Sequence, residues 1–285
     1  ENKIKSLGLC DTSNLCGALE FAEKISKIGT QPIIGTQINF RYKETTGLLP
    51  LFALNEKGYK RIIELSSLSY LKNDELSDPH LDFNELLNKK DGVSLFSGTI
   101  DGLFGQLFDK GKFTEIGELY SKLKSNYKDN FYIEIQRHGD LNEISFEKFN
   151  LAKSLELEIP LIATNEVFYI NKEMFEAHDA LICIKNKTYV NEKNRIKFTD
   201  QHYFKNNFEM LELFSDLPEA LENNYNFPFR CNFRPLSSQP ILPNISSEKG
   251  GDADEILKKY SVDGLSIKFK KFFNIKDKDF SSNKN

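Results

Sequence analysis

The sequence predicts an α/β fold with a mostly parallel sheet. Short β-rich apolar runs alternate along the chain with segments whose apolar residues recur at helical spacing. The first such run, ending Leu9-Cys10-Asp11, closes on an acid. A Ser13/Asn14 turn and an amphipathic helix follow, which is the strand–loop–helix unit of (β/α) folds. An acid at the C-terminal mouth of a strand sits where (β/α) barrels keep their chemistry. Composition allows the core such a fold needs, with 39% apolar and 28% charged residues over a length of 285.

Leu7 to Cys10 reads as the opening strand. Leu15, Ala18, Leu19, Ala22, Ile25 and Ile28 follow at helical spacing, and Gly29 stops that helix. Pro32 to Phe40 is β-rich, and Leu48 to Leu54 reads as the next strand. Tyr59, Ile62, Ile63, Leu65 and Leu68 mark a second helix. Gly92 to Gly98 is a strand ending in a Ser-Gly turn. Thr114 is placed to cap a helix carrying Ile116, Leu119, Tyr120 and Leu123. Asn130 to Gln136 is a strand, Ile144 to Leu155 a helix, and Pro160 to Thr164 another strand. Pro240, Pro243, Ser246, Ser247, Gly250 and Gly251 mark a linker. Beyond it, Ala253 to Tyr260 and Leu265 to Phe272 read as an amphipathic helix pair broken at Gly264. Three segments result: a domain over 1–238, a linker over 239–251, and the start of a further region over 252–285.

Net charge is −4, from 38 basic and 42 acidic residues. A dedicated nucleic-acid binder usually carries a basic excess, which this chain lacks apart from a local run between Lys258 and Lys278. No apolar stretch is long enough to span a bilayer, and no secretory signal opens the chain. It begins at Glu1 rather than Met and so reads as trimmed or as a fragment. Cys10, Cys16, Cys183 and Cys231 have no C-x-x-C spacing, which fits free thiols in a reducing compartment rather than a zinc knuckle. Walker, Rossmann and G-x-S-x-G patterns do not occur.

Several motifs occur in a fixed order. Leu9 to Phe21 resembles the "TD-x-x-N-L-x-G-x-x-x-F" run of the PHP (polymerase and histidinol phosphatase) domain, in the version carried by the alpha subunits of bacterial replicative DNA polymerases. Pro32 to Gln37 looks like the second metal-site strand of that family, and Leu51 to Tyr59 like its "L-x-A-x-N-x-x-G-Y" helix entry. Phe131 to Gly139 is similar to "Y-x-E-I-Q-x-H-G". Ile162 to Glu166 resembles "V-A-T-N-D", and Ala177 to Ile184 resembles "A-H-D-x-L-x-C-I". Leu213 to Leu221 and Cys231-Asn232 follow in order. One such match is weak; the ordered series is strong. The resemblance implies a PHP-type distorted (β/α)7 barrel lacking its first strand, followed by the start of the next polymerase module.

Active PHP domains hold a metal cluster ringed by His, Asp and Glu, and such ions activate water and clamp phosphate oxygens. Carried over residue by residue, the pattern is depleted here. Asp11 matches a ligand aspartate, but Thr12 follows where active members have His. Gln37 replaces the glutamate of "G-x-E". Leu48 stands for a histidine, and Thr99 for the ligand after "S-G". His138 is retained, Glu166 stands for an aspartate, and Phe168 replaces a histidine. The His-x-His motif would precede Glu1. Asp11, His138 and Glu166 are too few for a multinuclear site, so the resemblance implies a vestigial site with no metal. His178 is expected to make a satisfied hydrogen bond on a helix, and His80 and His202 to be exposed.

The resemblance further implies part of a cytoplasmic nucleotidyltransferase acting in DNA replication. Its palm carboxylates and their magnesium would lie outside this chain, which would itself have no activity. The domain would be a scaffold that packs on the remaining alpha-subunit domains and binds the separate proofreading exonuclease. The sliding clamp and primed DNA would be met through the full-length protein, with no membrane involved. The alternatives are a stand-alone PHP metal-dependent phosphoesterase and an interaction module with no enzymatic parent.

Overall fold

β-Branched and aromatic residues cluster in the strands, and apolar residues recur every three or four positions in the helices. The computed structural model describes residues 4–74, 77–88, 90–240 and 252–273. Its described elements are β1 (Ser6–Thr12), α1 (Ala18–Lys27), β2 (Gln31–Tyr42), β3 (Thr45–Ala53), α2 (Glu56–Leu71), β4 (Leu81–Asp82), α3 (Glu85–Asn88), β5 (Val93–Phe96), α4 (Leu103–Asp109), α5 (Phe113–Tyr127), β6 (Phe131–Ile135), α6 (Leu141–Leu157), β7 (Leu161–Ala163), α7 (Phe175–Asn186), α8 (Asn207–Leu213), α9 (Pro218–Arg230) and α10 (Ala253–Phe273). Short 3-10 turns at Lys128–Asn130 and Lys172–Met174 lead into β6 and α7. The chain divides into two units, 1–236 and 237–285.

The first unit is an α/β domain built on one sheet, in the order β1-β2-β3-β5-β6-β7, with β4 beside β2. The pairs β1–β2, β2–β4, β5–β6 and β6–β7 are parallel, whereas β3 runs antiparallel to β2 and β5. A two-residue turn at Lys43-Glu44 joins β2 to β3, and only antiparallel neighbours can be joined so tightly. The sheet curls into an open half-barrel. The Gln31 side chain at the start of β2 ties the sheet to the end of α9, donating to the carbonyls of Pro228 and Cys231, 2.9 and 2.8 Å away.

Strand alternation sorts the apolar residues onto two faces. One face, carrying Ile38, Leu49, Leu51, Leu95, Phe131, Ile133 and Leu161, packs under the helices. The other carries Ile33, Phe52, Phe96, Tyr132 and Ile162, and α9 fills the hollow with Phe227 and Cys231. Edge-to-face contacts of Phe227 with Phe52, Phe96 and Tyr132 at 5.2–5.8 Å close this inner core. The motif glycines have local reasons. A Cβ at Gly35 would lie 2.6 Å from the Phe52 ring, and one at Gly58 1.8 Å from the Gly92 carbonyl. Asn55 caps α2 by accepting from the Gly58 amide at 3.0 Å.

Several expectations are revised. Thr114 does not cap α5; Lys112 occupies that position without a side-chain bond, and Thr114 lies in the first turn. In the second unit, Ala253–Phe273 is one continuous helix rather than a pair broken at Gly264. A single helical glycine costs only about 1 kcal/mol relative to alanine, and the flanking Lys, Leu and Ile residues support the helix. Its apolar positions spread around the axis and form no single stripe. Most of the expected 239–251 linker lies outside the described residues.

Candidate functional site

The C-terminal ends of β1, β5, β6 and β7, with the neighbouring parts of β2 and β3, form one mouth of the half-barrel. At its centre lies Glu134 on β6, a charged residue in an otherwise apolar strand and only 6% exposed. Its Oε1 accepts from the Thr164 hydroxyl and from Gln136 Nε2 at 3.0 Å. Gln136 Nε2 also lies 2.9 Å from Thr164 Oγ1, so the three side chains tie the end of β6 to the end of β7. Burial pushes the Glu134 carboxyl up, against the pull of these bonds. Across the curl on β1, Cys10 is raised well above a normal thiol, first by burial and then by the charges of Glu134, Asp11 and Glu166.

His138 is 2% exposed and has both ring nitrogens engaged. Nδ1 faces Glu143 Oε1 at 3.0 Å, and Nε2 accepts from the Glu166 amide at 3.3 Å. An acceptor role for Nε2 places the ring proton on Nδ1, where it donates to the carboxylate. Glu143 also accepts from the His138 amide at 2.8 Å. Burial raises the Glu143 carboxyl, but its bonds to His138 outweigh burial and leave it below the ordinary range.

Beside this pair stands a column of rings. His202 stacks on His138 with centroids 3.9 Å apart, Phe168 stacks on His202 at 4.8 Å, and His178 stacks on Phe168 at 5.0 Å. Phe198 packs edge-on against Phe168 and His202. His202 is therefore buried, at 6% exposure, against the expectation of an exposed residue. Its Nδ1 points to the Glu166 carbonyl at 3.2 Å. Burial, then the neighbouring His138, pushes its pKa down to about 4. His80 is half-buried, with Nδ1 2.8 Å from the Asp78 carbonyl. The described contacts of His178 are with rings, and burial lowers its pKa.

The structure brings together most of the residues singled out by motif. Gln37 faces the mouth and reaches Thr12 Oγ1 at 3.2 Å. Glu166 is raised by burial, against the pull of His138 and Gln37. Leu48 and Pro50 share that face on β3, and Pro50 lies opposite Gln37. Thr99 accepts from the Asp101 amide at 3.2 Å in the turn before α4. Asp11 is the exception. It pairs with Thr36 while Thr12 pairs with Gln37, so alternation puts Asp11 on the helix-facing side. Its Oδ2 lies 3.4 Å from where a Cβ on Gly17 would stand. Thr12, not Asp11, is the β1 residue beside Gln37. The β6 motif contains Glu134 but gives it no role, and no motif includes His202. A lone carboxylate in an apolar strand is a readable signal for the first; polar neighbours hid the second.

Residues 1–138 match the PHP domain family. The chain contains a PHP domain. Over the PHP region and beyond, the chain is similar to proteins named DNA polymerase III subunit alpha. That of Caulobacter vibrioides is 35% identical over 277 residues, covering 94% of this chain and 24% of the relative. That of Rickettsia conorii is 37% identical over 268 residues, with 93% and 22% covered. That of Borreliella burgdorferi is 32% identical over 292 residues, with 97% and 25% covered. The chain thus spans about a quarter of the length of the curated relatives it matches. A crystal structure from Bifidobacterium adolescentis, described as a metal-dependent phosphoesterase, superposes with a TM-score of 0.36 at 10% identity over 57% of this chain and 77% of that one.

The mouth offers a metal ion few free donors. Both His138 nitrogens are committed, Gln37 offers a neutral amide, Phe168 is locked in the ring column, and Asp11 faces the helices. Among the described residues, no group of three His, Cys, Asp or Glu side chains is placed to hold an ion. As arranged, the donor set does not fit a multinuclear cluster. Among the described residues, no helix is long and apolar enough to cross a membrane.

Proposed function

We propose that this chain is the PHP portion of the alpha subunit of a bacterial replicative DNA polymerase, and that it serves there as a catalytically degenerate scaffold. The observation that carries the reading is the 35% identity that runs through 94% of this chain yet occupies only 24% of the Caulobacter relative. The ring column and the bonded His138 support degeneracy, because they fill with protein contacts the positions that would otherwise bind ions. In this reading the nucleotidyltransferase chemistry, its palm carboxylates and its magnesium belong to other parts of the subunit. The PHP portion packs on those parts and holds the proofreading exonuclease. The sliding clamp and primed DNA are engaged by the full-length, cytoplasmic enzyme.

Two measurements on the purified chain test this. Primed DNA with nucleotides and magnesium should show no extension, and template-dependent extension free of contaminating polymerase would sink the proposal. Elemental analysis after dialysis should find well under one equivalent of zinc or manganese. Tightly held ions together with phosphatase activity would instead favour a stand-alone PHP phosphoesterase.

A further inference from the structure

A helix that lays one side on a core normally carries charged residues on the other. α7 departs from this pattern. Phe175, Asp179, Ile182 and Cys183 fall on its inner side, where they are buried or half-buried. Ala177, Leu181 and Ile184 recur at helical spacing on the outer side, and all three are exposed. The exposed charges of the helix, Glu176 and Lys185, stand in its first and last turns. Between them the outer side carries no charge.

The segment after α7 adds Tyr189, Val190 and Ile196, which are 74%, 58% and 59% exposed. Arg195 ties that segment to the helix. Its guanidinium makes a two-pronged bond to Asp179 at 2.6 and 2.7 Å and donates to the carbonyls of Val190 and Ile196 at 3.1 and 3.2 Å. The side chains of the ion pair are only 4% and 9% exposed. A buried pair on the inner side of α7 therefore anchors a segment whose apolar side chains stay in solvent. Apolar groups held outward in one arrangement are pre-organised for contact.

The kind of contact follows from the composition. Transient interfaces are about as polar as ordinary surface, whereas permanent ones resemble a core cut in half. An outer face without charge thus favours a partner that is always present. The relatives supply one: the match over 94% of this chain includes α7, yet it occupies only 24% of the Caulobacter protein.

We propose that the outer face of α7, made by Ala177, Leu181 and Ile184 and extended by Tyr189 and Val190 after its C-terminal end, is the surface on which the rest of the alpha subunit packs. The face fits an apolar helix or strand with aliphatic side chains over Ala177 and between Leu181 and Ile184, a base toward Glu176 and an acid toward Lys185. The inference rests on the polymerase-subunit reading above and leaves other faces of the domain to the exonuclease.

The test compares the chain with the full-length subunit, each carrying Leu181→Cys or Ile184→Cys, by labelling with a charged maleimide. Peptide mass spectrometry separates the introduced thiols from the native ones, and each rate is divided by that of the urea-unfolded protein. The introduced thiols should label freely in the chain. In the full-length subunit alone they should label at least about tenfold more slowly, because a covered site reacts only through opening. Equal labelling in both proteins would overturn the proposal. So would protection that appears only when the exonuclease is added, or protection of the chain that grows with its own concentration and marks a second copy as the occupant. Ile184→Glu gives an independent reading: it should leave the melting temperature of the chain unchanged and lower that of the full-length subunit, where alone the carboxylate is buried. An equal effect on both, or none on either, contradicts the proposal. Primer extension by the full-length protein checks the polymerase reading separately. An active polymerase with freely labelled thiols loses only this surface, whereas protected thiols in a protein without that activity keep the surface and end the polymerase reading.

Discussion

The mouth of the half-barrel is governed by a few side chains whose roles follow from their charge state. His202 can stack between His138 and Phe168 because its ring is neutral, and burial, with His138 close by, holds its pKa down to about 4. For a base depressed in the folded state, the stabilising contribution is present above the unfolded pKa, about 6.5. It is lost as pH falls from there toward 4. The linkage amounts to about 3 kcal/mol across that window. Urea unfolding at pH 7 and pH 4 should therefore show wild type losing about 3 kcal/mol more than His202→Phe, which keeps a ring in the column. Equal losses would show that His202 does not carry this dependence. Glu134 has the opposite sign: its raised carboxyl stabilises below the unfolded pKa and loses that contribution as pH rises through the folded one. Glu134→Gln should thus gain stability over wild type at neutral pH, read as a higher urea midpoint. Gln37 and Phe168 were legible in the sequence because they break a familiar pattern. The inward turn of Thr12 in place of Asp11 was not, because a motif fixes residue types and not the face of a strand, which register decides.

At the scale of elements, α9 deals with an exposed sheet edge. Among the described residues β7 pairs only with β6, so the outward carbonyls of Leu161 and Ala163 have no ladder partner there. Asn223 and Asn224, adjacent on α9, donate to them at 2.8 and 2.7 Å. Unpaired strand edges invite non-native pairing, and these two amides occupy that edge while Phe227 of the same helix plugs the inner core. Asn223→Ala and Asn224→Ala should each cost about 1 kcal/mol, and the double variant about 2. That corresponds to a drop of roughly 4–8 °C in melting temperature, with a rise in aggregation on heating. An unchanged melting curve would mean that water serves the edge equally well. Strand and helix order was readable from periodicity for β1, β2, β3, β5, β6 and β7 and for α1, α2, α5 and α6, whereas the two-residue β4 and the short α3 and α4 were passed over. The reversal of β3 was also written in the chain, in the two-residue link Lys43-Glu44, but a reading by strand–helix alternation passes over so short a turn. Gly264 misled for the converse reason: a residue that disfavours a helix by about 1 kcal/mol is outvoted by neighbours that favour it.

At the scale of the whole molecule, the first unit closes its hollow with its own last helix and spends its mouth on internal bonds. Arg137 shows how far this goes: it holds Glu147, Asp216 and the Leu213 carbonyl together, joining the end of β6 to α6 and to the α8–α9 connection. Large apolar side chains nevertheless remain outside, among them Leu181 and Ile184 on α7, 62% and 74% exposed, and Tyr225 and Phe229 on α9, 72% and 75% exposed. A committed interior with apolar residues on the surface suits the scaffold proposed above, and the chain spans about a quarter of the relatives it matches. In the full-length subunit, deleting the segment equivalent to residues 4–236 should release the proofreading exonuclease in a pull-down. The chain itself, immobilised, should capture the exonuclease without any other polymerase domain. Arg137→Ala, by loosening the α8–α9 connection, should weaken that capture and lower the melting temperature together. Exonuclease retained after the deletion, with none captured by the chain, would place the contact elsewhere in the subunit and end the scaffold reading.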